Sequence, residues 1–499
     1  MRGWFHDMIF LVRNPKVGRP TANERVTDAK VKNFRYRFGN TRMTHANQVW
    51  LGAMAVVALL LASSLTGAQQ RAPIPAPAPL GLSVSGPTQR AVTEQQAARP
   101  VNSELPAYLT SIHGLQGVLA ETLDGASVAS QSVDEGFNPA SSIKLATTLA
   151  ALRAFGPDRR FATGLWTSGR LNQLTGVLEG DLIVSGSDPS LHYEHAIMIA
   201  KQLNQLGIQT VAGNLVVAPG FTMNFDWSAK ISGQQFSDTL DSKRRSLAAT
   251  EAWIDERTVV GDTASLKTVP SVTVAGGVII GSVPPGATPL LVHDSSKLVD
   301  LLKAMLCFSN NFMAERIGEM IGGPAALRSM LTGALKIAPE ELMLSSTSGL
   351  GENRVTPRAM MTILRTLCME LNKNKLTLSD VLPVAGVDPG TLKDRYTTDF
   401  LRGSVIAKTG TLIQTDGGAS SLVGEARTRS GSLVLFVIMN QQGNVVRFRE
   451  NQDNIVTQIQ NAFGGPAPFD YHPVLLSLRL ADSDYIKPKS GEFEPGNQP

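Results

Sequence analysis

Cysteine is nearly absent from this chain: two residues, Cys307 and Cys368, among 499. Two cysteines exclude a disulfide-stapled scaffold and a thiolate-rich metal site. Both sit in apolar helical patterns and are expected to be buried free thiols. Charge is sparse at 18%, which excludes a disordered polyelectrolyte. Its basic surplus is also local. Residues 1–48 hold ten Lys/Arg against Asp7, Glu24 and Asp28, which leaves residues 49–499 at a net −3. The pI near 9.0 therefore describes a leader and not a surface, and without a basic stripe no nucleic-acid partner is expected. Seven histidines offer one pair at ligand-like spacing, His192 and His195; this pair is expected on a solvated helix face, with no metal and no cofactor. No G-x-S-x-G motif occurs, which argues against an α/β-hydrolase.

One long apolar run is present, Leu51 to Ala62, followed by the small residues of Thr66-Gly67-Ala68. Its length suits the apolar core of a signal peptide, and the dense positive charge before it keeps the N-terminus cytoplasmic. Residues 49–68 are thus expected to be a signal peptide or signal anchor, with translation from Met1 or Met43. The protein would then be exported to the periplasm or the outer face of the inner membrane. Residues 69–103 alternate Pro and Ala before turning polar, as an extended tether does.

Three motifs each occur once, in order: Ser141-Ser142-Ile143-Lys144, Ser309-Asn310-Asn311 and Lys408-Thr409-Gly410. The run from Ser141 to Phe155 is a helix by its apolar spacing, with Pro139 suited to the first turn. Ser141 then lies at a helix start with Lys144 one turn on, close enough to take the hydroxyl proton. A lysine serving as base must be neutral, which requires burial or a neighbouring cation such as Lys408. Ser309 and Asn311 follow an apolar helix, where a hydroxyl can relay a proton and a carboxamide can hold a substrate amide. Ser404 to Thr411 is a strand whose Gly410 would allow close substrate approach. Lys408, Thr409 and Thr411 would supply a cation and hydroxyls for a substrate carboxylate. An Asp124-Gly125 hairpin precedes these motifs, and a meander through Ala426 and Met439 with a helix from Asn451 to Phe463 follows them.

In this order the motifs form the signature of the active-site-serine penicillin-recognising enzymes. The chain over residues 104–465 resembles the peptidase S13 family, the class C low-molecular-mass penicillin-binding proteins. Asn138-Pro139-Ala140-Ser141, the segment Leu182 to Leu191, Gly213 to Val217, Ser348-Gly349-Leu350 and Leu382 to Gly386 carry the likeness. So do the 168 residues separating Ser141 from Ser309, where this family inserts domain material.

The resemblance implies an α+β, multi-domain fold. A five-stranded antiparallel sheet flanked by helices forms the catalytic domain (104–163 and 291–470), with an inserted β-rich domain (164–290) and a C-terminal tail (471–499). It implies D-alanyl-D-alanine carboxypeptidase and endopeptidase activity on peptidoglycan stem peptides, and covalent capture of β-lactam antibiotics. Ser141 would be the nucleophile, Lys144 its base, and Ser309 the proton relay. Asn311 would hold the peptide, and Lys408, Thr409, Gly410 and Thr411 the carboxylate end. The N–H groups of Ser141 and Thr411 would form the oxyanion hole, and Asp188 would contact substrate. Gly351-Glu352 stands where Ser-Arg often follows Gly-Leu in the family, which changes the contacts expected for the stem-peptide side chain. A serine β-lactamase and a non-catalytic, membrane-tethered peptidoglycan-binding protein are the alternatives. The long insertion argues against the first, and the pairing of Ser141 with Lys144 against the second.

Overall fold

The computed structural model describes residues 112–488; the leader, apolar segment and tether lie outside the described residues. A five-stranded antiparallel sheet runs in the order Val405–Leu412, Ala419–Arg427, Leu433–Gln441, Leu115–Thr122, Ser127–Gln131. Strands from before and after the insertion therefore build one sheet, with Gly117 opposite Met439 and Val423 opposite both Val437 and Lys408. Alternate residues of each strand feed opposite layers. Leu119, Ile406, Val423, Leu435 and Val437 pack on helices Lys144–Phe155, Leu298–Phe308, Asn311–Met320 and Pro357–Lys373. Val118, Ala407, Leu422, Phe436 and Ile438 pack on Ile455, Val456, Ile459 and Phe463. Burial of both faces explains why Leu433 to Met439 reads as unbroken apolar sequence.

That second layer is helix Val445–Ala462, which begins six residues before the expected Asn451. Asn444 supplies the missed start signal, its side chain accepting from the Val446 and Arg447 N–H groups as an N-cap does.

A second sheet holds the inserted domain. Its order is Val278–Ile280, Leu215–Val217, Leu182–Gly186, Ala162–Thr167, Thr288–Asp294, Asp484–Ile486. The first three strands are mutually parallel, and helices Tyr193–Gln205, Ala229–Leu240 and Leu247–Val259 accompany them. The insertion thus carries helices as well as strands, around a core of Leu165, Val184, Leu203, Val217, Phe221 and Phe236. The expected C-terminal tail needs correction. Leu476 and Leu480 are buried, and Asp484–Ile486 pairs with Thr288–Asp294, with Ile486 opposite Val292. Polar and turn-forming residues around this short strand hid it. No helix among the described residues is long and apolar enough to cross a membrane.

Candidate active site

Ser141 lies in a 3-10 turn, Ala140–Ile143, and the α-helix proper begins at Lys144. This amends the expected helix start and sharpens the geometry, because a 3-10 turn eclipses residues i and i+3. Ser141 and Lys144 are consequently stacked. Ala140 adopts φ +46°, a left-handed conformation rare for a residue with a Cβ. Asn138 holds it there: its Oδ1 accepts from the Ala140 N–H at 3.0 Å, and its Nδ2 donates to Asp416 at 2.7 Å.

Two glycines clamp this turn. A Cβ on Gly349, itself at φ +90°, would lie 1.9 Å from the Ala140 carbonyl oxygen. One on Gly410 would meet Ser421 Oγ at 2.2 Å and the Pro139 oxygen at 2.5 Å. Gly410 was expected to make room for substrate. It instead makes room for the turn that presents the nucleophile.

Lys144 is fully buried. Its Nζ lies 2.9 Å from Ser141 Oγ and donates to Asn311 Oδ1 at 2.7 Å and to the Ser348 carbonyl at 2.6 Å. Burial, and secondarily the Lys408 charge, holds its pKa well below the ordinary lysine value, against an opposing pull from Glu315. A neutral amine has two N–H donors and one lone pair. In that form, with Asn311 and Ser348 engaging both donors, the lone pair is directed at the Ser141 hydroxyl. Asn311, expected to grip the substrate amide, thus orients the base through its oxygen. Its Nδ2 makes no hydrogen bond among the described residues and remains available to a substrate carbonyl.

Ser309 ends helix Leu298–Phe308 in the left-handed conformation, φ +56°. Asn310 then caps helix Asn311–Met320 by accepting from the Met313 N–H at 2.9 Å. The strained break turns both Ser309 and Asn311 toward the nucleophile. Lys408, also fully buried, donates to Ser309 Oγ at 2.9 Å and to its neighbour's carbonyl, Thr409 O, at 2.7 Å. Burial brings its pKa down to about 7. On this edge strand the Ala407 N–H points outward, donating to Pro383. The two-residue alternation puts the Thr411 N–H on the same outward side.

Asp188 does not join this cluster. Its side chain is wholly buried in the inserted domain, with Oδ1 accepting from the Ser190 N–H and hydroxyl and Oδ2 3.6 Å from His293 Nε2. The expectation that it contacts substrate is corrected, since it has no accessible surface to offer. The solvated face expected for His192 and His195 is likewise overturned. Both are buried, His195 Nδ1 accepts from the His192 N–H at 3.0 Å, and the His195 and His293 rings lie 5.0 Å apart. Among the described residues no His/Cys/Asp/Glu group is arranged to hold a metal. Cys307 and Cys368 are free, with burial pushing each thiol up to about 12.

Three further residues had been given no role from the sequence. Ser348 supplies a carbonyl to Lys144. Glu315 secures that carbonyl, accepting from the Ser348 N–H at 3.0 Å and the Thr347 hydroxyl at 2.8 Å. Its signal was its place one helical turn beyond Asn311. Arg449 donates to Thr411 Oγ1 at 2.8 Å; it lies in the part of the closing helix that the apolar pattern missed.

A buried, charge-depressed lysine aimed at a serine on a clamped turn, with a second serine and lysine opposite, defines an active-site serine enzyme of acyl transfer. The chain belongs to the D-Ala-D-Ala carboxypeptidase 3 (S13) family, whose model matches residues 111–242 and 263–462. It is 27% identical over 444 residues to carboxypeptidase DacB of Mycolicibacterium smegmatis, covering 80% of this chain and 94% of that one. It is 26% identical to the D-alanyl-D-alanine carboxypeptidase of Actinomadura, covering 73% and 84% respectively. Its fold is similar to a predatory peptidoglycan endopeptidase from Bdellovibrio bacteriovorus. That match has a TM-score of 0.61 and 22% identity, over 73% of this chain and 97% of that one.

Proposed function

We propose that this protein is a serine D,D-peptidase that cleaves the D-Ala-D-Ala terminus of peptidoglycan stem peptides, and D-Ala cross-links as a second activity, through an acyl-enzyme that β-lactams also form. The observation that carries this reading is the fully buried Lys144, whose Nζ lies 2.9 Å from Ser141 Oγ and is anchored by two carbonyl acceptors. Lys144 takes the hydroxyl proton as Ser141 Oγ bonds to the carbonyl carbon of the penultimate D-Ala. The oxyanion forms against the N–H groups of Ser141 and Thr411. Ser309, held by Lys408, relays the proton taken up by Lys144 to the departing D-Ala nitrogen as the amide bond breaks. Water then cleaves the Ser141 ester and restores the hydroxyl. The family match and the names of the carboxypeptidase relatives support the substrate class. A basic leader, an apolar segment and a Pro/Ala tether support an exported domain working beside the membrane.

The test is release of D-alanine from an acyl-D-Ala-D-Ala tripeptide by the purified protein. Turnover that disappears in Ser141→Ala supports the reading. Absence of both turnover and penicillin uptake refutes it.

A further inference from the structure

The D,D-peptidase reading requires a cation for the terminal carboxylate of the acyl donor, and Lys408 is poorly placed for that task. None of it is exposed, and its ammonium is engaged by Ser309 and by the Thr409 carbonyl.

Arg449 is placed differently. It reaches from helix Val445–Ala462 to the end of the Lys408 strand and donates through Nη2 to Thr411 Oγ1 at 2.8 Å. No carboxylate lies within ion-pairing distance of it among the described residues. Asp453, one turn along the same helix, is occupied by Arg395, whose Nε donates to its two oxygens at 3.0 and 3.1 Å. Arg395 also donates to the Arg449 carbonyl at 3.3 Å, tying that backbone down. Asp453 is thus taken by Arg395, and the Arg449 charge rests beside Thr411 with no carboxylate partner among the described residues. A guanidinium presents a planar pair of N–H donors matched to the two oxygens of a carboxylate.

Resting on the D,D-peptidase reading, we propose that Arg449 is the carboxylate-recognising residue of this active site, gripping the C-terminal carboxylate of the acyl donor together with the Thr409 and Thr411 hydroxyls. Lys408 is left to hold Ser309 and to influence Lys144. The division of labour follows from access: the buried cation serves the chemistry and the open one serves binding.

The test compares the second-order rate of acylation by benzylpenicillin with that by its methyl ester, in the wild-type protein, Arg449→Gln and Arg449→Lys. Arg449→Gln should slow acylation by the acid roughly tenfold to hundredfold, the range for losing a charge-assisted contact. The acid-to-ester ratio should fall by the same factor, and Arg449→Lys should recover part of it. A thermal melt matching the wild type excludes loss of fold as the cause. Equal slowing of acid and ester, or an unchanged acid rate, in a wild-type-labelled background overturns the Arg449 assignment alone. A wild-type protein that takes up no penicillin overturns the serine-enzyme reading beneath it.

Discussion

Lys408 and Ser309 are joined by a 2.9 Å hydrogen bond inside the protein, with no part of the lysine exposed. The charge that acts on Lys144 is therefore fixed to the proton relay, and the two lysines of the site are coupled through space. Lys408→Ala removes a charge that depresses the Lys144 pKa. Lys144 then holds its proton to higher pH, and the rising limb of the acylation profile moves upward. The rate near neutrality should fall roughly a hundredfold, since the relay also loses a charge-assisted bond. Lys408→Arg should restore part of the pH shift and little of the rate. Stopped-flow acylation across pH 5–10 gives both, and an unmoved limb would contradict the coupling.

Glu315→Gln should move that limb the other way. Glu315 raises the Lys144 pKa, so removing its charge leaves Lys144 neutral at lower pH. Acylation above neutrality should fall several-fold, because Ser348 loses a charged anchor for its N–H. A limb displaced upward would show that Glu315 does not face Lys144 in solution.

Gly349→Ala tests the clamp on the nucleophile turn. Its added methyl would collide with the Ala140 carbonyl at a backbone angle that side chains avoid. A cost of about 2–4 kcal/mol in stability is expected, seen as a lower urea midpoint. Acylation should fall further than any unfolded fraction explains, because Ser141 shifts with Ala140. Wild-type acylation in this variant would mean the turn is free to move.

The inserted domain should lose stability in acid. Burial lowers the His195 pKa from 6.5 to about 4, so the folded state resists a proton that the unfolded chain accepts. Stability from this group is present above pH 6.5 and declines as pH falls toward 4. Glu256, raised by burial to about 7, works in the opposite sense, its contribution being lost as pH rises through that value. His195→Gln keeps an acceptor at the third helical position, as a capping box uses, and removes the titration. Its urea midpoint should drop less between pH 6.5 and 4 than that of the wild type; an equal drop would place the acid sensitivity elsewhere.

The parts of the site legible in the sequence are those fixed by short-range spacing. Ser141 and Lys144 sit three residues apart, Ser309 and Asn311 flank a helix break, and Lys408 to Thr411 ride one strand. Such spacings fix mutual position before any tertiary contact forms. The sheet was legible because its strands are bounded by turn residues. Relations made by packing were hidden. Nothing local to Ser348 says that its carbonyl faces Lys144, and Arg449 meets Thr411 only once the closing helix has docked. His195 read as polar surface because helical periodicity cannot reveal that His293 arrives from a distant strand to lie 5.0 Å from its ring, with Tyr485 4.9 Å beyond; Asp188, expected at the substrate, faces the same His293.

In the proposed reaction Ser141 is the acylated residue and Lys144 its neutral base. Intact-mass measurement after exposure to benzylpenicillin, followed by peptide mapping, tests it most directly. One adduct per chain is expected, on Ser141, absent in Ser141→Ala and formed roughly a thousandfold more slowly in Lys144→Ala, on the order expected for loss of the activating base. An adduct on Ser142 or Ser309, or undiminished labelling without Lys144, would contradict it.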